Sequence, residues 1–190
     1  MAPSELEPPT ALILVDVTNS FFLEGMPNFY PAAADVLAPL RALLDKARAT
    51  GRIVVHAVEQ HYPGFDDYEW RKLPRHHFRG DRDADFFSGF APGGEREIVC
   101  PKRRYSAFFA TDLALFLREQ AIERVVIGGV KTNVCIRATA QDAFANGFDV
   151  VVPREATNSN RPHLAEASLE DIARYFGEVA ALDRALAMLA

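Results

Sequence analysis

Five short apolar runs punctuate the chain: ALILVDV (11–17), RIVVHAV (52–58), REIVC (96–100), RVVIGG (124–129) and FDVVVP (148–153). They are rich in Val and Ile, short, and largely free of polar alternation. That is the pattern of strands covered on both faces. GEVAAL (177–182) reads as a shorter sixth strand. Helical patterns lie between them. In ADVLAPLRALLDKARATG (34–51), Val36, Leu40, Leu43, Leu44 and Ala47 form one stripe, and Gly51 is placed to cap the end. Pro39 requires this helix to start near 35–38 or to kink there. Thr111 is placed to N-cap a helix over TDLALFLREQ. From 136, Ile136, Thr139, Ala140, Ala143 and Phe144 share a face, and Gly147 ends the pattern. Strand alternating with helix predicts an α/β fold, a three-layer α/β/α sandwich around a mostly parallel sheet of about six strands.

Residues 1–10, rich in Pro and Glu, read as a flexible arm ahead of a single domain over 11–190. The stretch 59–95 (EQHYPGFDDYEWRKLPRHHFRGDRDADFFSGFAPGGE) is long, irregular and aromatic, the character of a functional loop or lid. Composition is globular, with 49% hydrophobic and 25% charged residues and a net charge of −5. Basic residues gather at 71–82 and 102–104, but acids are mixed into the first group, so nucleic acid is not an expected partner. No apolar run reaches about 18 residues, and none is expected to span a membrane. MAPSELEPPT has neither the basic region nor the apolar core of a secretory signal. Cys100 and Cys135 are therefore expected as free thiols in a reducing cytoplasm. Cys100, inside a strand, reads as buried and inert.

In an open parallel sheet, sites form at the carboxyl ends of the strands. Asp16 closes ALILV, Lys102 follows REIVC, and Cys135 follows VVIGG where a glycine-bearing turn runs into a helix. Singly, each has an ordinary use: a turn cap, a solvated lysine, a small buried hydrophobe. Together they bring an acid, a cation and a thiol to one crevice. A thiol pKa near roughly 8.5 falls beside a cation or at a helix N-terminus, so Lys102 and the helix are expected to lower that of Cys135. Asp16 would take the thiol proton and hand it to a leaving amine. Backbone N–H groups of the turn would hold the oxyanion. This set predicts acyl transfer through a thioester, hence amide hydrolysis.

The stretches ALILVDVTNSFF (11–22), PKRRYSAFFATDL (101–113) and VVIGGVKTNVCIRATAQDAFANGFDVVVPREAT (125–157) carry a resemblance. The chain resembles the isochorismatase-like cysteine hydrolases, which include nicotinamidases, N-carbamoylsarcosine amidohydrolase, ureidoacrylate amidohydrolase and biuret hydrolase. The matches span nearly the whole chain in the family's order, and the third is the most specific. The resemblance implies the same three-layer fold, usually dimeric or tetrameric, and an Asp16–Lys102–Cys135 triad. It implies a cis peptide between Val130 and Lys131, with the N–H groups of Lys131 and Cys135 as the oxyanion hole.

Having Cys135 separates the chain from the isochorismatases proper, which cleave a vinyl ether without a nucleophilic cysteine. Nicotinamidases carry a metal bound by an Asp and spaced histidines after the second strand. Here that place reads Glu59-Gln60-His61 with no second His close by, so no metal and no cofactor is expected. His76 and His77, in a basic loop, read as surface or lid residues. The segment after the fifth strand resembles that of the carbamoyl- and ureido-cleaving members, where it lines the pocket. Arg161 falls in it and would hold a substrate carboxylate if it faces inward. Phe21 is expected as a pocket wall. Tyr105 of RYSAF and Gln60 are expected at the substrate, with His61, Tyr68 and Trp70 shaping the pocket or a subunit contact. Asn19 is placed to orient Asp16, and the Lys131 side chain either meets substrate or points to solvent. The expected substrate is a small linear carbamoyl, ureido or carboxamide compound, with an aromatic amide as the alternative. A non-catalytic binding protein on the same fold is the reading from another class.

Overall fold

The structure, a computed structural model, describes residues 7–190, so most of the expected N-terminal arm lies outside the described residues. Seven strands form one sheet: β1 (Thr10–Val15), β2 (Val54–Glu59), β3 (Glu97–Lys102), β4 (Arg124–Val130), β5 (Asp149–Pro153), β6 (Thr157–Asn158) and β7 (Glu178–Ala180). Their order is β3-β2-β1-β4-β5-β7, with β6 beside β4, and every pairing is parallel. The chain fills one side of β1 first and then returns to build the other. The direction of winding therefore reverses between β1 and β4, which is where such sheets place a site.

Among the described residues, six α-helices accompany the strands: α1 (Asn19–Phe22), α2 (Leu37–Ala49), α3 (Leu113–Glu119), α4 (Arg137–Ala145), α5 (Pro162–Asp171) and α6 (Leu182–Met188). Alternate residues of the strands face opposite layers. Ile13, Val15, Val55 and Ile127 pack with Leu117 of α3 and Ala140 of α4. Leu12, Leu14, Val54 and Val126 pack with Leu40 and Leu43 of α2 and Ala185 of α6. Burial on both faces explains why the central strands β1, β2 and β4 read as mainly apolar runs, while the edge strand β3 stays partly exposed.

Strand positions follow the sequence pattern, with ends moved by a residue or two. At β3 the strand runs to Lys102 instead of stopping at Cys100. The two-residue β6 is too short to leave a periodic signal and brings the sheet to seven strands. Pro39 sits in the first turn of α2, where its missing N–H costs no bond, and Gly51 takes φ +66° just past its end. Thr111 stands one residue ahead of the cap position of α3. The helix is entered from Asp112, while the Thr111 hydroxyl donates to the Ala107 carbonyl at 2.6 Å and accepts from the Leu113 N–H at 3.4 Å. The helix expected from 136 is α4, entered through a π-helical turn over Thr132–Ile136. Gly129, at φ +128° in β4, passes so close to β1 that a Cβ there would lie 2.0 Å from the Val15 carbonyl oxygen.

Candidate active site

The β2–β3 register sets Glu59 opposite Lys102, and Val15 pairs with both Ala57 and Gly129. Asp16, one residue on, thus emerges between the ends of β2 and β4. Its backbone takes φ +55°, a strained choice for a residue other than glycine. Two hydrogen bonds hold it there: its N–H donates to the Ala57 carbonyl, and Oδ1 accepts from the Glu59 N–H, each at 2.8 Å. Lys102 Nζ lies 2.8 Å from Asp16 Oδ2 and 3.7 Å from Cys135 Sγ. A carboxylate oxygen of Asp16, one of Glu59 and Cys135 Sγ all fall within 4.8 Å of one another. Asp16 and Lys102 are 0% exposed and Cys135 is 3% exposed. The three residues singled out at strand ends do converge. The Val130–Lys131 peptide is cis.

Burial sets the electrostatics. It raises the Asp16 pKa despite the opposing pull of Lys102, and it pushes the Cys135 thiol well up although Lys102 pulls it down. This corrects the expectation of a lowered thiol pKa: burial disfavours the thiolate, and Asp16 and Glu59 add negative charge nearby. Lys102 stays protonated, because Asp16, Cys135 and Glu59 together outweigh the desolvation that would discharge it. The resting site is therefore a buried ion pair beside a neutral thiol. Moving a proton from Sγ to Asp16 leaves the net charge next to Lys102 unchanged, so this internal transfer escapes the desolvation that blocks ionisation to bulk water.

Cys135 opens onto a cavity of about 170 Å³. Phe21, Tyr105 and Lys131 line it, with Asn28, Leu73 and Val134. Two expected residues do not. Gln60 follows an inward Glu59 and turns to an outer groove with Tyr62, Arg79 and Arg103. Arg161 is exposed just ahead of α5 and outside the cavity lining. Asn19 does not touch Asp16; its amide donates to the Arg82 carbonyl at 3.0 Å. Trp70 packs at a tilt against His61 with ring centroids 5.5 Å apart, whereas Tyr68 is exposed. Cys100 is buried as expected, its thiol pushed up to about 11 by burial.

The long loop holds the main surprise. His76 and His77 are buried, 5% and 0% exposed, not surface residues. Glu59 Oε1 lies 2.9 Å from His61 Nε2 and 3.1 Å from His76 Nε2, and Oε2 lies 3.9 Å from Lys102 Nζ. The outer nitrogens are held too: His61 Nδ1 by Asp67 at 3.0 Å and His76 Nδ1 by the Pro74 carbonyl at 2.6 Å. Burial works against all three charges, but mutual hydrogen bonds win. Glu59 is held well below the carboxylate range, and His76 rises to about 9. His77 is driven down to about 3 by burial and packs on Phe21.

Glu59, His61 and His76 offer three donors within 4.8 Å of one another. Glu69 lies beside them, with neither oxygen aligned to a hydrogen-bond donor and Oε2 3.9 Å from His61 Nε2. Two imidazoles and two carboxylates, with the outer imidazole nitrogens anchored, fit a divalent ion such as zinc. The expectation of no metal rested on a second histidine missing nearby in sequence; the loop supplies it by folding back. In the sequence Glu59 reads only as a departure from the nicotinamidase metal pattern, because the apolar run ends one residue before it. Its signal is an acid on the end of a buried, mostly apolar strand.

Residues 10–184 match the isochorismatase domain model. The chain belongs to the isochorismatase family. Maleamate amidohydrolase of Pseudomonas putida is 34% identical to it over 184 residues, covering 94% of this chain and 86% of that protein. Ureidoacrylate amidohydrolase of Serratia proteamaculans is 33% identical over 207 residues, covering 96% and 82%. An isochorismatase-like hydrolase from Alkaliphilus metalliredigens superposes with a TM-score of 0.87 at 32% identity, covering 95% of this chain and 99% of that one. With such relatives, this isochorismatase-family chain is an amidohydrolase, an enzyme of carbon–nitrogen bonds in linear amides. Among the described residues, no helix is long and apolar enough to cross a membrane.

Proposed function

We propose that this amidohydrolase cleaves the C–N bond of a small carbamoyl, ureido or carboxamide substrate through a thioester on Cys135, releasing ammonia. The observation that carries the reading is the buried Asp16–Lys102–Cys135 contact set, whose Cys135 faces a cavity. Asp16 takes the Sγ proton as the sulfur attacks the carbonyl carbon. Lys102 offsets the charge that passes between them. The N–H groups of Lys131 and Cys135 hold the oxyanion of the tetrahedral intermediate. When it collapses, the C–N bond breaks and Asp16 returns the proton to the leaving nitrogen as ammonia. Water then attacks the thioester, Asp16 again accepts a proton, and the thiol is regenerated as the acid departs. Phe21 and Tyr105 wall the substrate and exclude bulk water.

The pH dependence follows from the direction of the shifts. Asp16 titrates above the 3.8 of a free aspartyl group. Below that raised value it is protonated and cannot act as base, so kcat/KM falls as pH drops through it and levels off above. The thiol gives its proton to Asp16 and not to water. No second rise is expected near about pH 8.5, where a free thiol ionises. A second rise in rate near about pH 8.5, above the plateau that Asp16 sets, would contradict Asp16 as the base.

The histidine cluster favours a second reading, a metal-dependent hydrolase of an aromatic amide of the nicotinamidase type. Glu59, His61, His76 and Glu69 would hold the ion, which when bound supplies a positive charge able to polarise a substrate heteroatom or a water. Metal content of the purified protein and nicotinamide turnover before and after chelation separate the readings. Stoichiometric zinc that is lost in His76→Ala, with nicotinamide turnover lost alongside it, supports the second. Turnover of a linear substrate by metal-free protein removes it. A cytoplasmic setting agrees with two free thiols. In a homodimer or homotetramer, a subunit contact would cover the exposed Phe65, Tyr68 and Leu73.

A further inference from the structure

We propose that Lys131 anchors a substrate carboxylate, so that the site, on the reading above, selects amides and ureides bearing an acid group over neutral amides. Lys131 Nζ stands 5.4 Å from the ring centre of Tyr30 and 5.7 Å from that of Phe21, at the cavity wall it shares with Cys135. The Tyr30 hydroxyl is turned away, donating to Asn158 Oδ1 at 2.7 Å, so the ring face meets the cation. Aromatic faces attract an ammonium and fix its place, but they do not neutralise it. Among the described residues, no carboxylate lies within 4.0 Å of Nζ.

The other charges of the cavity are answered. Lys102 has Asp16, and Glu59 has His61, His76 and Lys102. Glu69 turns toward the histidines, and burial raises its pKa. Lys131 alone is left half-buried without a counter-charge. Burial lowers its pKa; the nearby Cys135 works against that shift, and the charge of Arg161 adds to it. Arg161 thus keeps a lesser form of its expected role, adding positive potential from outside. A half-buried ammonium without an anion is unfavourable, and an incoming carboxylate relieves it. A lysine reaches roughly 6 Å from its own backbone. The backbone N–H of Lys131 is assigned to the oxyanion. A carboxylate on its Nζ and the scissile carbonyl must therefore be joined by a short spacer.

The test needs no knowledge of the substrate. Iodoacetate and iodoacetamide deliver groups of similar size, one anionic and one neutral. Their alkylation rates at Cys135 are read by peptide mass spectrometry, with Cys100 as internal control. The iodoacetate-to-iodoacetamide ratio is expected to fall about 10-fold or more in Lys131→Met, the range a charged hydrogen bond commands, and to recover in Lys131→Arg. An unchanged ratio overturns the anchor. If neither reagent modifies Cys135, the thioester reading fails, and maleate binding followed by ligand NMR decides the anchor by itself. Binding lost in Lys131→Met upholds it; binding that persists, or that wild type never shows, overturns it.

Discussion

Cys135→Ala is expected to reduce ammonia release by about 10⁴-fold or more while leaving the protein folded. The size follows from the role: without Sγ no thioester forms, and nucleophiles that work as a unit with their base cost several orders of magnitude when removed. The fold should survive because only one buried sulfur is lost, at a cost of about 1 kcal/mol. The resting thiol is neutral, so the Asp16–Lys102 pair keeps its balance. Asp16→Asn is expected to be as inactive but less stable. It leaves Lys102, 0% exposed, with only Glu59 at 3.9 Å as counter-charge. Removing one member of such a pair costs about 3–5 kcal/mol. The double variant should release ammonia no more slowly than Cys135→Ala alone, because the acid acts only through the thiol. Steady-state ammonia assays on the three variants, with melting curves beside them, check this. Losses that multiply would mean that Asp16 and Cys135 act independently.

Gly129→Ala carries the largest expected effect on stability. Its Cβ would meet Val15 O at 2.0 Å and the Val15 N and C atoms at 2.8 Å, all backbone of the neighbouring strand. No rotamer change relieves that overlap. β1 would have to move off β4 at the point where Asp16 emerges. The cost should exceed about 4 kcal/mol, a large part of the roughly 5–15 kcal/mol that holds a domain folded. A melting midpoint lowered by at least about 10 °C, or failure to fold, is expected. Gly147→Ala is the control. It also requires a positive φ, +85°, but its added Cβ would have nothing within 4 Å. It should cost only about 1–2 kcal/mol. Equal losses in both would show that the close approach at Gly129 is not the cause.

The strands and the three strand-end residues were legible because their signals are local. A buried parallel strand is an apolar run, and a polar residue at its carboxyl end stands out. What stayed hidden depends on the path of the loop. His76 and Glu69 reach Glu59 and His61 because the loop folds back: the His61 N–H donates to the His77 carbonyl at 2.8 Å and the Arg79 N–H to the His61 carbonyl at 2.9 Å, while Asp67 ties the turn between them to His61, Arg103 and Arg104. No periodicity reports such a fold-back. Gln60 and Arg161 were misplaced for two different reasons. A strand read one residue short hid that Glu59 takes the inward position. The resemblance places the segment after the fifth strand at the pocket without fixing where its side chains point. The thiol pKa was misjudged because a sequence shows the neighbouring cation but not the depth of burial.

The measurement that tests the central claim most directly is ammonia release by wild type and Cys135→Ala, side by side. The compounds are N-carbamoyl amino acids, ureidoacrylate, biuret, maleamate and nicotinamide. The account predicts turnover of at least one of these by wild type and none of it by the variant. Turnover that survives in Cys135→Ala would contradict the thioester, and with it the role given to the Asp16–Lys102–Cys135 cluster.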